Sequence, residues 1–496
     1  MTKPIVVIGA GVGGLTAAAL LAARGHAVTV CEAAATPGGK LREVTAAGRA
    51  IDAGPTVFTM RWVFDAVFAA AGARLDDHLT LTRATTLARH AWGLDARLDL
   101  FADLAQSADA IGAFAGAAEA KRFRGFMAEA KRTYTTLADT FLSRSATSPL
   151  GLTRRIGLTR PGDLLSIRPF ETLWRALGTY FHDPRLRQLF GRYATYSGAS
   201  PFAAPATLML IAHVEADGVW AVAGGMHRIA RALEGLATGH GAVFRYGARV
   251  AEIVVGRAGT EAVVLASGER LDAAAVVVNA DPQALAAGLF GDAARRAVPS
   301  LRVRDRSLSA LTLTMAADTS GFDLDHHNVF FSDDYAAEFA DLASGRLPRN
   351  PSVYICASDR AAEAVRPAPE RLHMIVNAPA TGDALSREEI AAGEAATFAT
   401  LARCGLTVTP RATVRTTPAD FAGLFPATGG ALYGRASHGW AASFARPGAT
   451  TKLPGLFLAG GATHPGAGVP MAALSGRLAA DAVARALASQ VRSSLA

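Results

Sequence analysis

The first 32 residues carry a strand, glycine turn, helix and second strand, a pattern that leaves the chain few choices of fold. Residues 4–8 form a continuous apolar run typical of a buried parallel strand, and residues 13–24 predict a helix rich in small side chains. Residues 27–31 form the next strand. A GxGxxG motif alone is a weak signal, but inside a βαβ unit of about 30 residues it strongly predicts dinucleotide binding.

The glycines and the acidic residue that closes this unit indicate how a nucleotide would be held. Gly9 permits a tight turn, Gly11 lets a pyrophosphate approach the backbone, and Gly14 lets helix and strand pack closely. The helix N-terminus offers N–H groups and the positive end of its dipole. Glu32 can accept hydrogen bonds from a ribose diol, and its charge would repel a 2′-phosphate. NADP is therefore disfavoured.

A second glycine cluster narrows the cofactor. Gly38-Gly39-Lys40 follows Glu32 closely and precedes the segment Asp52-Ala-Gly-Pro-Thr56. Paired glycines let the backbone approach a phosphate, and Lys40 can neutralise it. Such a cluster is typical of FAD enzymes rather than of simple NAD dehydrogenases, with a surface hairpin as the alternative. The sequence therefore favours FAD.

A third glycine-rich segment lies near the C-terminus, at residues 455–470, with the sequence GLFLAGGATHPGAGVP. A hydrophobic strand enters this loop, and an alanine-rich helix follows it. Backbone without bulky side chains can lie directly against a ligand. We expect this loop to hold the large flat end of the bound molecule.

Length and composition predict several domains. The 496 residues are 50% hydrophobic, which allows a large core and argues against a single domain. Strand and helix patterns at 226–278 and after residue 455 continue the nucleotide-binding domain. We predict an α/β fold with a discontinuous Rossmann-like FAD-binding domain and an inserted α+β substrate domain. Its parts are FAD-binding residues 1–75, 217–285 and 431–496, a mostly helical substrate and membrane-associating region at 76–216, and a substrate domain at 286–430.

Charge, cysteines and the N-terminus restrict partners and location. The net charge of +8 suits an anionic membrane surface, whereas no basic repeat with interleaved aromatics supports nucleic acid binding. Cys31, Cys356 and Cys404 form neither a disulfide framework nor a metal motif. We expect no metal, no secretory signal and no membrane-spanning segment.

These motifs resemble the bacterial and fungal phytoene desaturase-type carotenoid desaturases, members of the flavin amine-oxidase-like superfamily. The resemblance extends over nearly the whole chain. Its further landmarks are residues 197–201 (SGASP), 218–220 (GVW), 224–226 (GGM), 327–330 (HNVF), 332–335 (SDDY), 377–379 (NAP) and 460–470. Residues 434–440 (GRASHGW) and 444–448 (FARPG) are most similar to the 1-hydroxycarotenoid 3,4-desaturases, or methoxyneurosporene dehydrogenases, of purple bacteria.

The resemblance implies a cofactor map. It assigns the ADP half of FAD to Gly9, Gly11, Gly14, Glu32, Gly39, Lys40, Val250, Asn279 and Ala280, and the flavin end to Gly54, Pro55, Thr56, Gly461, Gly468, Val469, Pro470 and Met471. One departure is visible. Many relatives have Gly-Asp beside the ribityl chain, where this sequence has Gly460-Gly461-Ala462.

The resemblance also implies a chemistry and a setting. Hydride would pass to flavin N5 while the adjacent carbon of an acyclic carotenoid loses a proton, and oxygen or a quinone would reoxidise the flavin. The substrate implies peripheral docking on the cytoplasmic side of the inner membrane, for which residues 152–160, 164–165, 167 and 170 are a candidate surface. No catalytic base is identified. His464, Asp52, Glu215 and Arg446 are the polar residues to test near the substrate.

Alternatives remain at this stage. A phytoene desaturase shares the chemistry but acts at different bonds, a carotene isomerase uses flavin without net oxidation, and a prenyl-binding chaperone of the same fold binds no flavin. Glu32, Gly38-Gly39 and the C-terminal glycine loop argue against the chaperone.

Overall fold

A computed structural model of the chain describes residues 4–138, 168, 170–361, 367–439 and 441–495. At its centre is a five-stranded sheet in which every neighbouring pair is parallel. Its strands are, in spatial order, Val243–Arg245, Val28–Cys31, Ile5–Ile8, Ala275–Val278 and Leu456–Leu458. Three separate stretches of the chain thus build one sheet.

Apolar residues explain why this sheet lies inside the molecule. Ile5–Ile8 and Ala275–Val278 are buried at every position, as expected for parallel strands covered on both faces. Helix Val12–Ala23 covers one face and is itself almost wholly buried, because helices His227–Gly239 and Val469–Leu495 pack against it. A Cβ on Gly476 would lie 2.2 Å from the carbonyl oxygen of Gly13, so the first and last helices meet through glycine.

A seven-stranded sheet forms the second layer of the molecule. Its strands are, in spatial order, Thr407–Thr416, Ser309–Ser320, Glu370–Ala378, Val353–Ala357, His327–Phe330, Thr86–Ala91 and Arg97–Phe101. Neighbours are antiparallel except for the parallel pair His327–Phe330 and Thr86–Ala91. Strands from 76–216 and from 286–430 join in this sheet through long-range pairing that local sequence does not encode, while the rest of 76–216 that the structure describes is mostly helical.

The remaining strands described form three small sheets. They are Val250–Val255, Thr260–Leu265 and Arg270–Asp272; Phe58–Thr59, Val219–Val222 and Leu81–Arg83; and Glu43–Ala46 with Arg49–Asp52. The other α-helices described are Arg61–Ala70, Leu104–Ala115, Ala117–Leu137, Leu173–Tyr180, Pro184–Gly191, Leu210–Asp217, Pro282–Ala286, Asp292–Arg295, Tyr335–Ala343, Arg387–Arg403 and Pro418–Leu424.

The helices between residues 104 and 217 have their own aromatic core. Phe181 and Phe190 stack with ring centroids 4.9 Å apart, and Phe126 lies 4.8 Å from Phe190. Val329 and Phe331 of the seven-stranded sheet belong to the same cluster. The helical layer is thereby fixed against that sheet. None of the helices described is long and apolar enough to cross a membrane.

Candidate active site

One cavity of about 1850 Å³ joins the layers. It begins at the carboxyl ends of the parallel strands, where Gly9, Glu32, Asn279 and Gly460 line its wall. Ligands in open α/β folds bind at this edge of the sheet. The volume exceeds the roughly 300–1,000 Å³ of ordinary small-ligand pockets, which suits a large cofactor together with a second ligand.

The structure brings nearly all the predicted cofactor residues to this cavity. Gly9, Gly11, Glu32, Gly39, Lys40, Gly54, Pro55, Thr56, Val250, Asn279, Ala280, Gly461, Gly468, Val469, Pro470 and Met471 line it. Gly14 is absent from the lining described. Its Cβ would lie 2.1 Å from the carbonyl oxygen of Gly9, so Gly14 serves the close packing of helix on strand.

Glu32 is held in place by the loops on either side of it. Its Oε2 accepts from the Ala10 N–H at 2.6 Å, and its Oε1 accepts from the Ala34 N–H at 2.8 Å. A carboxylate has about four acceptor sites, so two such bonds leave capacity for a ligand hydroxyl. The side chain therefore ties the first glycine loop to the end of the second strand while lining the cavity.

Asn279 connects the first glycine loop to the C-terminal loop. Its Nδ2 donates to the carbonyl of Gly9 at 3.4 Å, and a Cβ on Gly13 would lie 2.7 Å from both the Asn279 Oδ1 and the Gly460 nitrogen. Gly460 N–H donates to Ser475 Oγ at 3.2 Å. The two glycine loops, far apart in sequence, form one continuous wall.

Two cations, Lys40 and Arg446, form part of the cavity wall. Lys40 Nζ donates to the carbonyl of Leu432 and lies 5.1 Å from the ring centroid of Phe425. Arg446 donates to the carbonyls of Tyr433 at 2.8 Å, Gly461 at 3.2 Å and Arg435 at 2.7 Å. Burial lowers the pKa of Lys40 and lowers that of Arg446 to about 10. An anionic ligand in the cavity would stabilise the charged form of each side chain.

Two of the polar residues chosen for testing, Asp52 and His464, are not part of the cavity lining described. Asp52 accepts from the Met226 N–H at 2.7 Å and the His227 N–H at 3.0 Å, so it caps the helix that follows. His464 is buried, and its backbone N–H donates to the carbonyl of Pro447 at 2.8 Å. Neither is among the cavity-lining residues in the ranges described. Glu215 and Arg446 do line the cavity.

Sequence reasoning missed two further polar groups of the wall, Arg192 and Tyr196. They lie on the 3₁₀ segment Arg192–Ser197, just before the SGASP landmark. Arginine and tyrosine in a short polar segment ordinarily predict an exposed turn. Hydrogen bonds from Tyr193 and Tyr196 to Glu215 of helix Leu210–Asp217 hold this segment against the cavity.

Three potential metal ligands also meet, although the sequence predicts no metal. Donor atoms of His326, His327 and Cys356 lie within 4.8 Å of one another. His326 Nδ1 is hydrogen-bonded to the Ala357 carbonyl at 3.1 Å, and His327 Nδ1 is hydrogen-bonded to Tyr354 Oη at 2.7 Å. Burial raises the pKa of the Cys356 thiol to about 12. The group belongs to the polar framework behind Tyr354.

The residues present fit FAD. Gly9 and Gly39 adopt φ angles of +97° and +59°, which favour glycine, and a Cβ on Gly11 would lie 2.6 Å from Asn279 Nδ2. Gly11, Val12 and Gly13 line the cavity at the N-terminus of helix Val12–Ala23, whose first N–H groups have no partner within the helix. Backbone, helix dipole and Glu32 thus form an anion and ribose cradle.

The fold and this cradle together define the class of protein. The model of the flavin containing amine oxidoreductase family matches residues 12–484. The chain therefore belongs to that family, and the expectation of FAD as cofactor is confirmed. Solved structures show the same fold: an oxidoreductase of Methanosarcina mazei (TM-score 0.60, 16% identity, 96% of this chain and 99% of that one) and the cyclohexylamine oxidase of Brevibacterium oxydans (TM-score 0.56, 17% identity, 98% and 100%).

Sequence relatives place the chain among the carotenoid desaturases of this family. The chain is 53% identical to the hydroxyneurosporene desaturase of Rubrivivax gelatinosus, over 99% of this chain and 95% of that one. It is 47% identical to the hydroxyneurosporene desaturase of Cereibacter sphaeroides, over 98% and 99%. A zeta-carotene-forming phytoene desaturase of Myxococcus xanthus is 31% identical, over 97% and 93%. The resemblance to bacterial carotenoid desaturases and the expectation of an FAD-dependent oxidoreductase are confirmed.

Proposed function

We propose that the protein introduces the C3–C4 double bond into acyclic 1-hydroxycarotenoids of the hydroxyneurosporene type. The observation that carries this proposal is the continuous cavity from the dinucleotide loops to an apolar chamber. Val57, Leu208, Ile211 and Val214 line the chamber. A polyene needs such an apolar wall, and the cofactor residues lie in the same space. The names of the 53% and 47% identical relatives support the choice of substrate.

FAD would be held by the cofactor residues named above and would supply the hydride acceptor. The chain itself would contribute orientation and electrostatics. The N-terminus of helix Val469–Leu495 reaches the cavity at Gly468, Val469 and Pro470. Its free N–H groups and positive dipole end favour negative charge at this end of the site. Arg446 would hold the loop of Gly461 in place through its three carbonyl contacts.

A membrane surface is the second part of the proposal, because a carotenoid is dissolved in lipid. Of the candidate docking segment, residues 152–160, 164–165 and 167 lie outside the residues described. Phe170 is 82% exposed and also lines the cavity, as does Arg175. An exposed aromatic ring and a cation on the lining of one cavity suit the interface of an anionic bilayer. We propose substrate entry here, on the cytoplasmic side of the inner membrane, with oxygen or a quinone as electron acceptor.

The test uses the flavin-loaded protein on liposomes that contain one carotenoid each: 1-hydroxyneurosporene, neurosporene or phytoene. We expect a red shift of the polyene absorption with 1-hydroxyneurosporene, because each new conjugated double bond lengthens the chromophore. Turnover of phytoene without turnover of the hydroxylated carotenoid would refute the proposal and favour a phytoene desaturase. Rearrangement without flavin reduction under anaerobic conditions would favour an isomerase.

A further inference from the structure

The apolar chamber contains a polar patch that a hydrocarbon substrate cannot use. Arg192, Tyr196 and Glu215 line the same cavity as the aliphatic residues of the chamber. Burying such groups is unfavourable unless each finds a hydrogen-bond partner. A chamber evolved only for hydrocarbon would be expected to carry aliphatic side chains at these positions. We call these three residues the oxygen patch.

Hydrogen bonds hold the oxygen patch in a fixed order. Glu215 is buried, and its carboxylate accepts from Tyr193 Oη at 2.6 Å and from Tyr196 Oη. Tyr196 Oη in turn accepts from Arg192 Nη2 at 3.4 Å. Tyr196 therefore bridges the cation and the anion, and both phenols already donate to the carboxylate.

The guanidinium keeps unused donor capacity. Among the residues described, the guanidinium makes one side-chain hydrogen bond, the long bond of 3.4 Å from Nη2 to Tyr196 Oη, and Arg192 lines the cavity. Burial disfavours its charge, but Tyr196 and Glu215 offset this and raise the pKa of Arg192, so the donor is charged at every physiological pH. An arginine has five N–H donors and no acceptor, so its complement is an oxygen atom.

The oxygen patch shares its cavity with the predicted flavin end. Thr56, one of the flavin-end residues, has its Oγ1 2.6 Å from Tyr354 Oη. Thr56, Tyr354 and the three residues of the oxygen patch all line the cavity. The oxygen patch and the flavin-end residues therefore face one common space.

The proposed reaction requires an oxygen receptor close to the redox end. In a 1-hydroxycarotenoid one carbon–oxygen bond and two carbon–carbon bonds, each about 1.5 Å long, separate the C1 oxygen from C3, so the oxygen lies roughly 4 to 5 Å from the C3–C4 bond in an extended chain. An oxygen receptor that selects this bond must therefore lie within one side chain of the redox end. A receptor at the far end of the chamber could not perform this selection.

We infer that Arg192, Tyr196 and Glu215 form the receptor for the C1 oxygen of the substrate's end group, and that this anchor presents C3–C4 to the flavin. The inference rests on the proposed function and deepens it. Arg192 would donate to the oxygen, and the substrate hydroxyl would donate to Glu215 or Tyr196. These residues act as positioning residues for specificity, since none of them is required to take part in the redox step.

The experiment compares the flavin-loaded wild type with Arg192→Met, Arg192→Lys and Tyr196→Phe on liposomes that carry either 1-hydroxyneurosporene or neurosporene. We expect kcat/KM for the hydroxylated substrate to fall about 10- to 100-fold in Arg192→Met and about 3- to 10-fold in Tyr196→Phe, since each loses a polar contact to substrate. Activity on neurosporene should stay within about 2-fold or rise, and Arg192→Lys should recover part of the loss.

Tyr246→Phe is the matched control. Tyr246 also donates to a carboxylate, that of Glu234, but it is not among the cavity-lining residues described. It should leave both activities unchanged. Flavin content and urea midpoints establish that each variant is folded, and if Arg192→Met is not, Tyr196→Phe and Arg192→Lys decide.

The outcomes separate the two proposals. If the wild type converts 1-hydroxyneurosporene but the variants lose activity on both substrates in equal proportion, or on neither, the receptor role is overturned while the proposed function stands. If the wild type does not convert 1-hydroxyneurosporene at all, the proposed function itself fails, and the receptor role fails with it.

Discussion

Replacing Gly476 by alanine tests the contact between the first and last helices. The added Cβ would lie 2.2 Å from the Gly13 carbonyl oxygen and 2.8 Å from Thr16 Cβ, far inside normal contact distance. Alanine gains about 1 kcal/mol over glycine in a helix interior. Overpacking of a tight core costs about 1–3 kcal/mol and occasionally more. Because both partners are backbone or a rigid threonine, we expect the upper end, hence a net loss of about 1–2 kcal/mol.

Gly235→Ala is the matched control, because Gly235 lies in helix His227–Gly239 with nothing within 4 Å of its added Cβ. The same substitution should there stabilise by about 0.5–1 kcal/mol. Urea denaturation followed by tryptophan fluorescence is a more sensitive assay than thermal unfolding. With an unfolding entropy of about 2.1 cal/mol/K per residue, 1 kcal/mol moves the Tm of a chain this long by only about 1 °C.

The Gly476 substitution also has a functional readout. Gly13 lies against both Gly476 and the C-terminal loop at Gly460, so displacement of helix Val12–Ala23 should lower the flavin retained after dialysis. A Gly476→Ala protein that is as stable as wild type and retains full flavin would refute the argument from close packing. So would a destabilised Gly235→Ala variant.

Three further outcomes are expected. Glu32→Ala should weaken FAD binding about 10- to 100-fold, because a carboxylate that orders two loops and lines the cavity is lost; unchanged flavin absorbance per protein would contradict the cofactor map. Asp52→Ala should lower the free energy of unfolding by about 1–3 kcal/mol in urea, since two N–H groups at a helix start lose their acceptor, with the flavin spectrum kept. His90 has its pKa lowered from 6.5 to about 3 by burial and by the charge of Arg192. As the pH falls, the unfolded chain therefore binds a proton at His90 before the folded chain does. The free energy of unfolding is highest above pH 6.5 and falls by up to about 1.4 kcal/mol per pH unit below it. His90→Asn should flatten that slope in urea titrations between pH 7 and 5, and an unchanged slope would show that His90 is not the group responsible.

Local sequence pattern was sufficient to predict an element whose structure depends on its own residues. The strand at Ile5–Ile8 and the helix at Val12–Ala23 follow from apolar runs and a glycine turn, and both lie within one residue of their predicted places. The cofactor, the family and the class of chemistry also followed from sequence. Glycine spacing is informative because the close approach of backbone to phosphate tolerates no Cβ.

Other predictions needed contacts between distant segments. Nothing local distinguishes Asp52, which caps a helix beginning at residue 227, from an aspartate in an active site. Strands Thr86–Ala91 and His327–Phe330 pair across more than 200 residues, and no local pattern predicts that pairing. The domain boundaries stay a prediction.

The C-terminal glycine loop shows where the two kinds of information divide. Its sequence determined that backbone would face a flat ligand, because glycines leave the main chain bare. Only the tertiary structure decided what stands opposite, since Arg192, Tyr196 and Glu215 reach the same cavity from other elements, through packing that acts over long sequence separations. The chain's own sequence thus specified the cofactor and the class of reaction, and its folding brought Arg192, Tyr196 and Glu215 to one cavity.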